Sequence, residues 1–187
     1  MKFFKNRFVA LVLCVLTVLV STIVSTNAKL GRAADDISDG FYLGVTYSGY
    51  KHPAVADQLE NICGAADGLA SVLSSYDIDV VSMKQNSGEL MDMLNQRTSA
   101  YNEVYDKYRE LLGDIESVKL ELASVELSER DASGTEQYLS TVSSASSVIS
   151  DSGYNDSVRE FSRSYLERFP SKLFAELAGV YAPELFA

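Results

Sequence analysis

From Ala54 to Phe169 the chain runs for 116 residues without a proline, with Pro53 and Pro170 at its two ends and Pro183 as the only other proline. Proline removes a backbone donor and clashes with the preceding turn, so a gap of this length marks long helices rather than a turn-rich β fold. Periodicity agrees. From Val55, apolar or small residues fall at Leu59, Ile62, Ala66, Leu69, Leu73 and Tyr76, a four-three alternation that makes one buried helical stripe, and Pro53 suits its first turn. A second stretch carries Leu90, Leu94, Tyr101, Tyr105, Tyr108, Leu112 and Ile115, predicting a helix from about Val80 to Leu122 with Gly113-Asp114 as a candidate break. A third begins at Ser128, whose spacing to Asp131 resembles a capping box. It continues through Leu139, Val142, Ile149, Val158, Phe161 and Tyr165 and is expected to stop at Phe169-Pro170.

The N-terminus adds a different element. Lys2, Lys5 and Arg7 precede an uncharged stretch of 21 residues, Phe8 to Ala28, and a helix of about 20 residues spans a bilayer core. Thr26-Asn27-Ala28 also resembles a signal cleavage site, but signal cores run to roughly 7–15 residues, whereas Val9 to Val24 is interrupted only by Cys14, Thr17, Ser21 and Thr22. A retained anchor is therefore favoured over a signal peptide. A lipoprotein site at Cys14 is weaker still, because bulky Leu13 stands where a small residue is wanted. Basic residues before the run and Asp35, Asp36 and Asp39 after it put the N-terminus in the cytoplasm and the bulk of the chain outside the membrane. The expected fold is all-α. Residues 1–7 form a cytoplasmic tip, 8–28 a transmembrane helix, 29–52 an irregular juxtamembrane segment with short extended pieces, and 53–187 an antiparallel bundle of about three long helices with an apolar tail from 170.

Without residues 1–28 the chain carries 13 Lys and Arg against 26 Asp and Glu, a net charge of -13. Such a surface repels phosphate backbones, so nucleic acid is excluded as a partner, while basic proteins and divalent cations are favoured by the summed field. Metal and redox chemistry have few ligands to work with. His52 is the one histidine, and Cys14 and Cys63 are the two cysteines, one inside the apolar run and one outside it. Multi-ligand His and Cys sites and disulfide scaffolds are excluded, and Cys63 is expected to be a small core residue.

Catalytic motifs are equally sparse. A triad would have to use His52, which sits beside Pro53 at a helix start. Ser48-Gly49-Tyr50-Lys51 matches Ser-x-x-Lys without its companion motifs. Asp77-Ile78-Asp79 lacks further oxygen ligands at Val81 and Lys84 and suits a helix cap better than a calcium loop. No catalytic, cofactor or metal site is expected. Two contact surfaces are. Tyr101, Tyr105 and Tyr108 share a helix face, which is either core or an aromatic wall for a ligand or partner. Gly64 and Gly68 make a flat face for a neighbouring helix, with self-association as the alternative to intramolecular packing. Asn155-Asp156-Ser157 matches a glycosylation sequon by composition alone.

The C-terminal region carries the most specific pattern: Tyr154-Asn155-Asp156-Ser157-Val158-Arg159-Glu160-Phe161, then Phe169-Pro170, Leu173, Ala175, Leu177, Gly179 and Pro183, ending at Leu185-Phe186. It resembles the C-terminal signature of the LemA family, strongest over Gly153–Phe186 and only architectural over Ala54–Ser152. The resemblance implies a bacterial envelope protein with an N-terminal membrane helix, an extracytoplasmic helical bundle and no established enzymatic activity. Tyr154, Asn155, Val158, Phe161, Phe169, Pro170 and Gly179 are the signature positions. Ser144 and Asp151 stand where the family carries a glutamate and an arginine able to pair.

Structurally, Tyr154, Val158, Phe161 and Tyr165 are expected to continue the third helix's buried stripe, with Asn155 bonding a neighbouring helix. Phe174, Leu177 and Tyr181 belong to a short apolar helix expected at the bundle end away from the membrane, as a cap or an interaction surface. The expected function is that of a non-catalytic, membrane-anchored interaction or scaffold module with an envelope protein partner, and with homo-oligomers possible. The alternative is a sensory or ligand-binding bundle with a tyrosine-lined pocket. Seven residues ahead of the span carry no output of their own, so that version needs a partner.

Overall fold

The structure, a computed structural model, describes residues 7–187. Lys2 and Lys5 of the expected basic tip lie outside the described residues. The order is α1 (Arg7–Leu43), β1 (Thr46–Tyr47), β2 (Tyr50–Lys51), α2 (Val55–Leu73), α3 (Val81–Asn95), α4 (Tyr101–Leu122), α5 (Glu129–Ser150), α6 (Tyr154–Phe161) and α7 (Ser171–Ala178). The all-α bundle is as expected, but its helices are cut differently. Two compact units result, one from the residues up to Ile37 with Val158–Pro183, the other from Ser38–Ser157 with Glu184–Ala187.

In the first unit, α1 is long and apolar enough to cross a membrane: its most apolar 18-residue window has a mean hydropathy of 2.5 and no part of that window is buried. The helix then continues unbroken to Leu43, which corrects the irregular segment expected over 29–52 as far as residue 43, while the short extended pieces expected in it lie at 46–47 and 50–51. The reason is a second stripe: Leu30, Ala33, Ala34, Ile37 and Phe41 recur at three and four residues, and this periodicity outweighs Gly31 and Gly40 inside the helix. Leu30, Ala33, Ala34 and Ile37 pack with Leu166, Ala178 and Ala182 around a core of Phe161, Ala175 and Val180. The tail from 170 was expected at the bundle end away from the apolar run. Instead it lies along α1 from the end of that run onward, where the Asn27 amide donates to the Ala178 carbonyl at 2.7 Å.

Val158 and Phe161 are buried as the stripe requires, but Tyr165 is exposed. Over Ser162–Leu166 the helix loosens into a π turn, with the Glu167 N–H bonded to the Ser162 carbonyl, so a spacing of four no longer returns to the same face. The helix therefore ends before Phe169-Pro170, and Pro170 sits instead at the N-cap position of α7. Gly179 closes α7, with the Val180 N–H returning to the Ala175 carbonyl in a Schellman arrangement.

In the second unit α2 is central. Its buried residues include the expected stripe from Val55 to Leu73 and also Ala56, Cys63, Ala65 and Ala70, because both α3 and α5 pack on it while α4 packs on α3. Tyr76, expected to extend the stripe, is half-buried in a 3-10 turn after the helix. Short connections between packed neighbours make successive helices antiparallel. Pro53 precedes this helix rather than entering its first turn, and Ala54 is the N-cap. A Cβ at Gly68 would overlap the Tyr138 ring of α5, so there the flat glycine face is filled from within the chain, while Gly64 faces open space.

The expected second helix is two. It runs straight through Gly113-Asp114 and breaks at 96–100, where Arg97 adopts φ 49° and the Thr98 hydroxyl accepts the Ala100 N–H ahead of α4. The third helix breaks at Asp151–Gly153, with Gly153 at φ 69°. Its start is as expected, since Ser128 is the N-cap and its hydroxyl accepts the Asp131 N–H. Between α1 and α2, Thr46 pairs with Lys51 and Tyr47 with Tyr50 across a turn in which Ser48 and Gly49 both have positive φ, the geometry of a tight hairpin.

Candidate functional site

Of the residues expected to meet ligands or partners, Tyr101, Tyr105 and Tyr108 join one aromatic cluster in the second unit, while Phe174, Leu177 and Tyr181 belong to the first. The last turns of α1 supply Phe41 and Tyr42, the start of α4 supplies Tyr101, Tyr105 and Tyr108, and α6 supplies Tyr154. Phe186, near the C-terminus, completes it. Phe41 stacks on Tyr101 at 4.4 Å between centroids and meets Tyr154 edge-on at 5.5 Å. Phe186 lies 5.4 Å from Phe41, 5.1 Å from Tyr105 and 5.9 Å from Tyr108. Offset and edge-on contacts of this kind are favourable beyond the area they bury.

The hydroxyls of Tyr42, Tyr101, Tyr105 and Tyr154 each have a partner. The Tyr101 hydroxyl donates to the Ser38 carbonyl at 3.0 Å, and the Tyr42 hydroxyl donates to the Thr98 carbonyl at 2.9 Å with the Arg97 guanidinium over its ring. The Tyr105 hydroxyl accepts from Arg109. The Tyr154 hydroxyl donates to the Glu184 carbonyl at 2.9 Å.

Asn155 is the decisive polar group. Its amide nitrogen donates to the Phe186 carbonyl and its oxygen accepts the Phe186 N–H, both at 2.8 Å, so one side chain pairs with the backbone as an adjacent strand would. This corrects the expectation that Asn155 bonds a neighbouring helix. A side chain on a helix can only offer what the nearest backbone lacks, and here that backbone is the extended segment Glu184–Ala187, which has no ladder of its own. Tyr154 and Asn155 thus hold the chain's end while Phe186 fills the tyrosine face, leaving Tyr101 and Tyr108 buried and Tyr105 half-buried.

The remaining sequence candidates lie elsewhere. In the first unit Phe174 is half-buried and Leu177 and Tyr181 are exposed. Ser144 and Asp151 are both exposed, Asp151 as the C-cap of α5. Asp79 accepts the Val81 N–H at the start of α3, a capping role. His52 follows the hairpin, its N–H bonded to the Val45 carbonyl. Among the described residues no three His, Cys, Asp or Glu side chains are grouped to hold a metal. Periodicity alone could not place Phe41, Tyr42 and Phe186 beside the tyrosines. The continuation of the α1 stripe to Phe41 and the closing Leu185-Phe186 pair were the available signals.

Burial favours the neutral form of Tyr154 and Tyr101. It raises the pKa of Tyr154, with Tyr101, Glu184 and Tyr42 adding to the effect, and that of Tyr101 against an opposing hydrogen bond from Ser38. In the core of the same unit, burial pushes the Cys63 thiol up to about 11, against a Ser87 hydrogen bond that lowers it. Each folded pKa exceeds its ordinary value of 9.0 for Cys or 10.0 for Tyr, so the stabilisation is complete below pH 9 and is lost as pH climbs past those values. The urea midpoint of the full chain in detergent is therefore expected to fall between pH 9 and pH 11. Cys63→Ala should delay the onset toward pH 10, the ordinary tyrosine value at which these groups ionise in the unfolded chain. A midpoint constant across this range contradicts the neutral core. No protein-family model, curated protein or solved structure matches the chain.

Proposed function

We propose that this chain is a membrane-anchored, extracytoplasmic helical module of a bacterial envelope, acting by contact with another envelope protein rather than by catalysis. The observation that carries the reading is α1. An apolar helix whose side chains at Leu11, Val18 and Val24 stand uncovered is suited to a lipid surrounding, and the same helix runs on without a break into packed protein. Lys2, Lys5 and Arg7 ahead of the run and Asp35, Asp36 and Asp39 after it favour an N-terminus in the cytoplasm. The LemA-like signature over Gly153–Phe186 supports the same reading as a resemblance, and its Tyr-Asn pair has a structural use in holding the C-terminal segment.

The second unit carries 7 Lys and Arg against 21 Asp and Glu, a net charge of -14, which favours a basic partner surface. A photo-cross-linking probe replacing exposed Leu120 or exposed Tyr50 in intact cells tests this. A discrete adduct with one envelope protein, weakened by raised salt, is the expected result. Full-length protein in the membrane with no adduct from either position contradicts a scaffold role.

A further inference from the structure

We propose that the outward face of α7 rests on the phospholipid surface, in the headgroup layer of the membrane that α1 crosses. The inference builds on the anchoring reading above. Phe169, Leu173, Leu177 and Tyr181 recur every four residues, Leu173 and Leu177 on α7 and the other two flanking it, and they are 85%, 47%, 56% and 80% exposed. Ala175 and Ala178, on the opposite side of the helix, face the protein core. The helix therefore has two apolar faces, and only one is covered by the chain itself.

Position identifies what covers the other. The hydrogen bond from Asn27 to the Ala178 carbonyl and the packing of Leu30, Ala33, Ala34 and Ile37 fix the C-terminal end of α7 beside α1 at Asn27. Val24 is the last large aliphatic residue of the membrane run, and three residues of helix separate it from Asn27, about 4.5 Å along the axis. The end of α7 is thereby held within about one helical turn of the level where the apolar run stops. Interfacial helices bury their apolar face about 5–10 Å into the boundary of headgroups and acyl chains, and tyrosine concentrates at that depth.

Charge is compatible with the same occupant. The first unit beyond residue 28 has 6 Lys and Arg against 5 Asp and Glu, a net charge of +1, so the chain's strong acidity is confined to the second unit's residues. Lys172 and Arg168 are exposed beside the apolar stripe, where their long stems can reach headgroup phosphates.

The chain contains no tryptophan, so a single introduced indole reports alone. Full-length Tyr181→Trp, Leu177→Trp and Leu13→Trp proteins are reconstituted in phosphatidylcholine vesicles whose lipids carry bromine either near the carbonyl end or deep in the acyl chain. Circular dichroism of each confirms its helix content. Blue-shifted Tyr181→Trp and Leu177→Trp emission, quenched more by shallow than by deep bromine, is the expected result, with Leu13→Trp quenched most by deep bromine. Strong quenching of Leu13→Trp with water-like emission from the two α7 probes overturns the lipid contact while leaving the anchor intact. Blue-shifted α7 probes that bromine does not quench place them against protein, such as a second copy of the chain, and also overturn it. No quenching of Leu13→Trp removes the anchoring reading itself, and the lipid contact with it.

Discussion

Phe186→Ala is expected to destabilise the second unit by about 3–5 kcal/mol, the usual loss for a large aromatic removed from a packed core. The ring is buried among Phe41, Tyr105 and Tyr108. Its position depends on Asn155. Asn155→Leu removes both bonds to the Phe186 backbone and leaves an N–H and a carbonyl without partners, for an expected loss of about 2–4 kcal/mol. Tyr154→Phe deletes only the bond to the Glu184 carbonyl and should cost about 1 kcal/mol. If the three groups act together by docking one segment, Asn155→Leu combined with Phe186→Ala will cost clearly less than the sum of the two. Urea unfolding of the full chain in detergent, followed by exposure of the buried Cys63 thiol, measures all of these. Full additivity, or a Phe186→Ala variant as stable as the parent, contradicts the docked tail.

Gly44→Ala is the second substitution with a large expected effect. Gly44 ends α1 at φ 81°, a conformation that costs an ordinary L residue roughly 1–2 kcal/mol, and its N–H bonds the Gly40 carbonyl at 2.9 Å. A Cβ there would also overlap the His52 carbonyl oxygen, which is backbone and cannot swing aside. The expected total is about 2–4 kcal/mol, read from the same urea transition. Gly113 supplies the contrast, since it lies within α4 with open space where a Cβ would be. Gly113→Ala should stabilise by roughly 0.5–1 kcal/mol through helix propensity alone. Equal effects at the two positions would mean that backbone geometry at Gly44 is not the constraint.

The two glycines also show what the sequence made legible and what it did not. Proline spacing and apolar periodicity were enough for an all-α bundle after an apolar N-terminal helix, because both report directly on local backbone preference. Helix breaks were misplaced where the determinant was tertiary or subtle. Gly113 suggested a break that packing overrode, whereas Arg97, a residue with no turn preference, takes the left-handed conformation with its guanidinium over Tyr42. The length of α1 was written in the spacing from Leu30 to Phe41, but Gly40 and Gly44 so close together masked it.

The aromatic site was half legible. Tyr101, Tyr105 and Tyr108 were visible as a face, but what fills that face comes from more than fifty residues away in either direction, and no local pattern encodes such pairings. Asn155 illustrates the same limit. Its residue type announces a polar contact, while its partner is fixed only when the chain end passes beside α6.

Anchoring of the chain by α1, with its bulk outside the cytoplasmic membrane, is tested most directly by thiol labelling in intact cells. Cys14 is an internal reference inside the apolar run, and buried Cys63 stays silent until the protein unfolds. A reporter is introduced at exposed Ser117 on α4 and, in a second protein, at Lys2. A membrane-impermeant maleimide is expected to label Ser117→Cys in intact cells and Lys2→Cys only after permeabilisation, with residues 1–28 still attached and the protein in the membrane fraction. Labelling of Ser117→Cys only after lysis, or its recovery as a soluble protein without residues 1–28, contradicts the account.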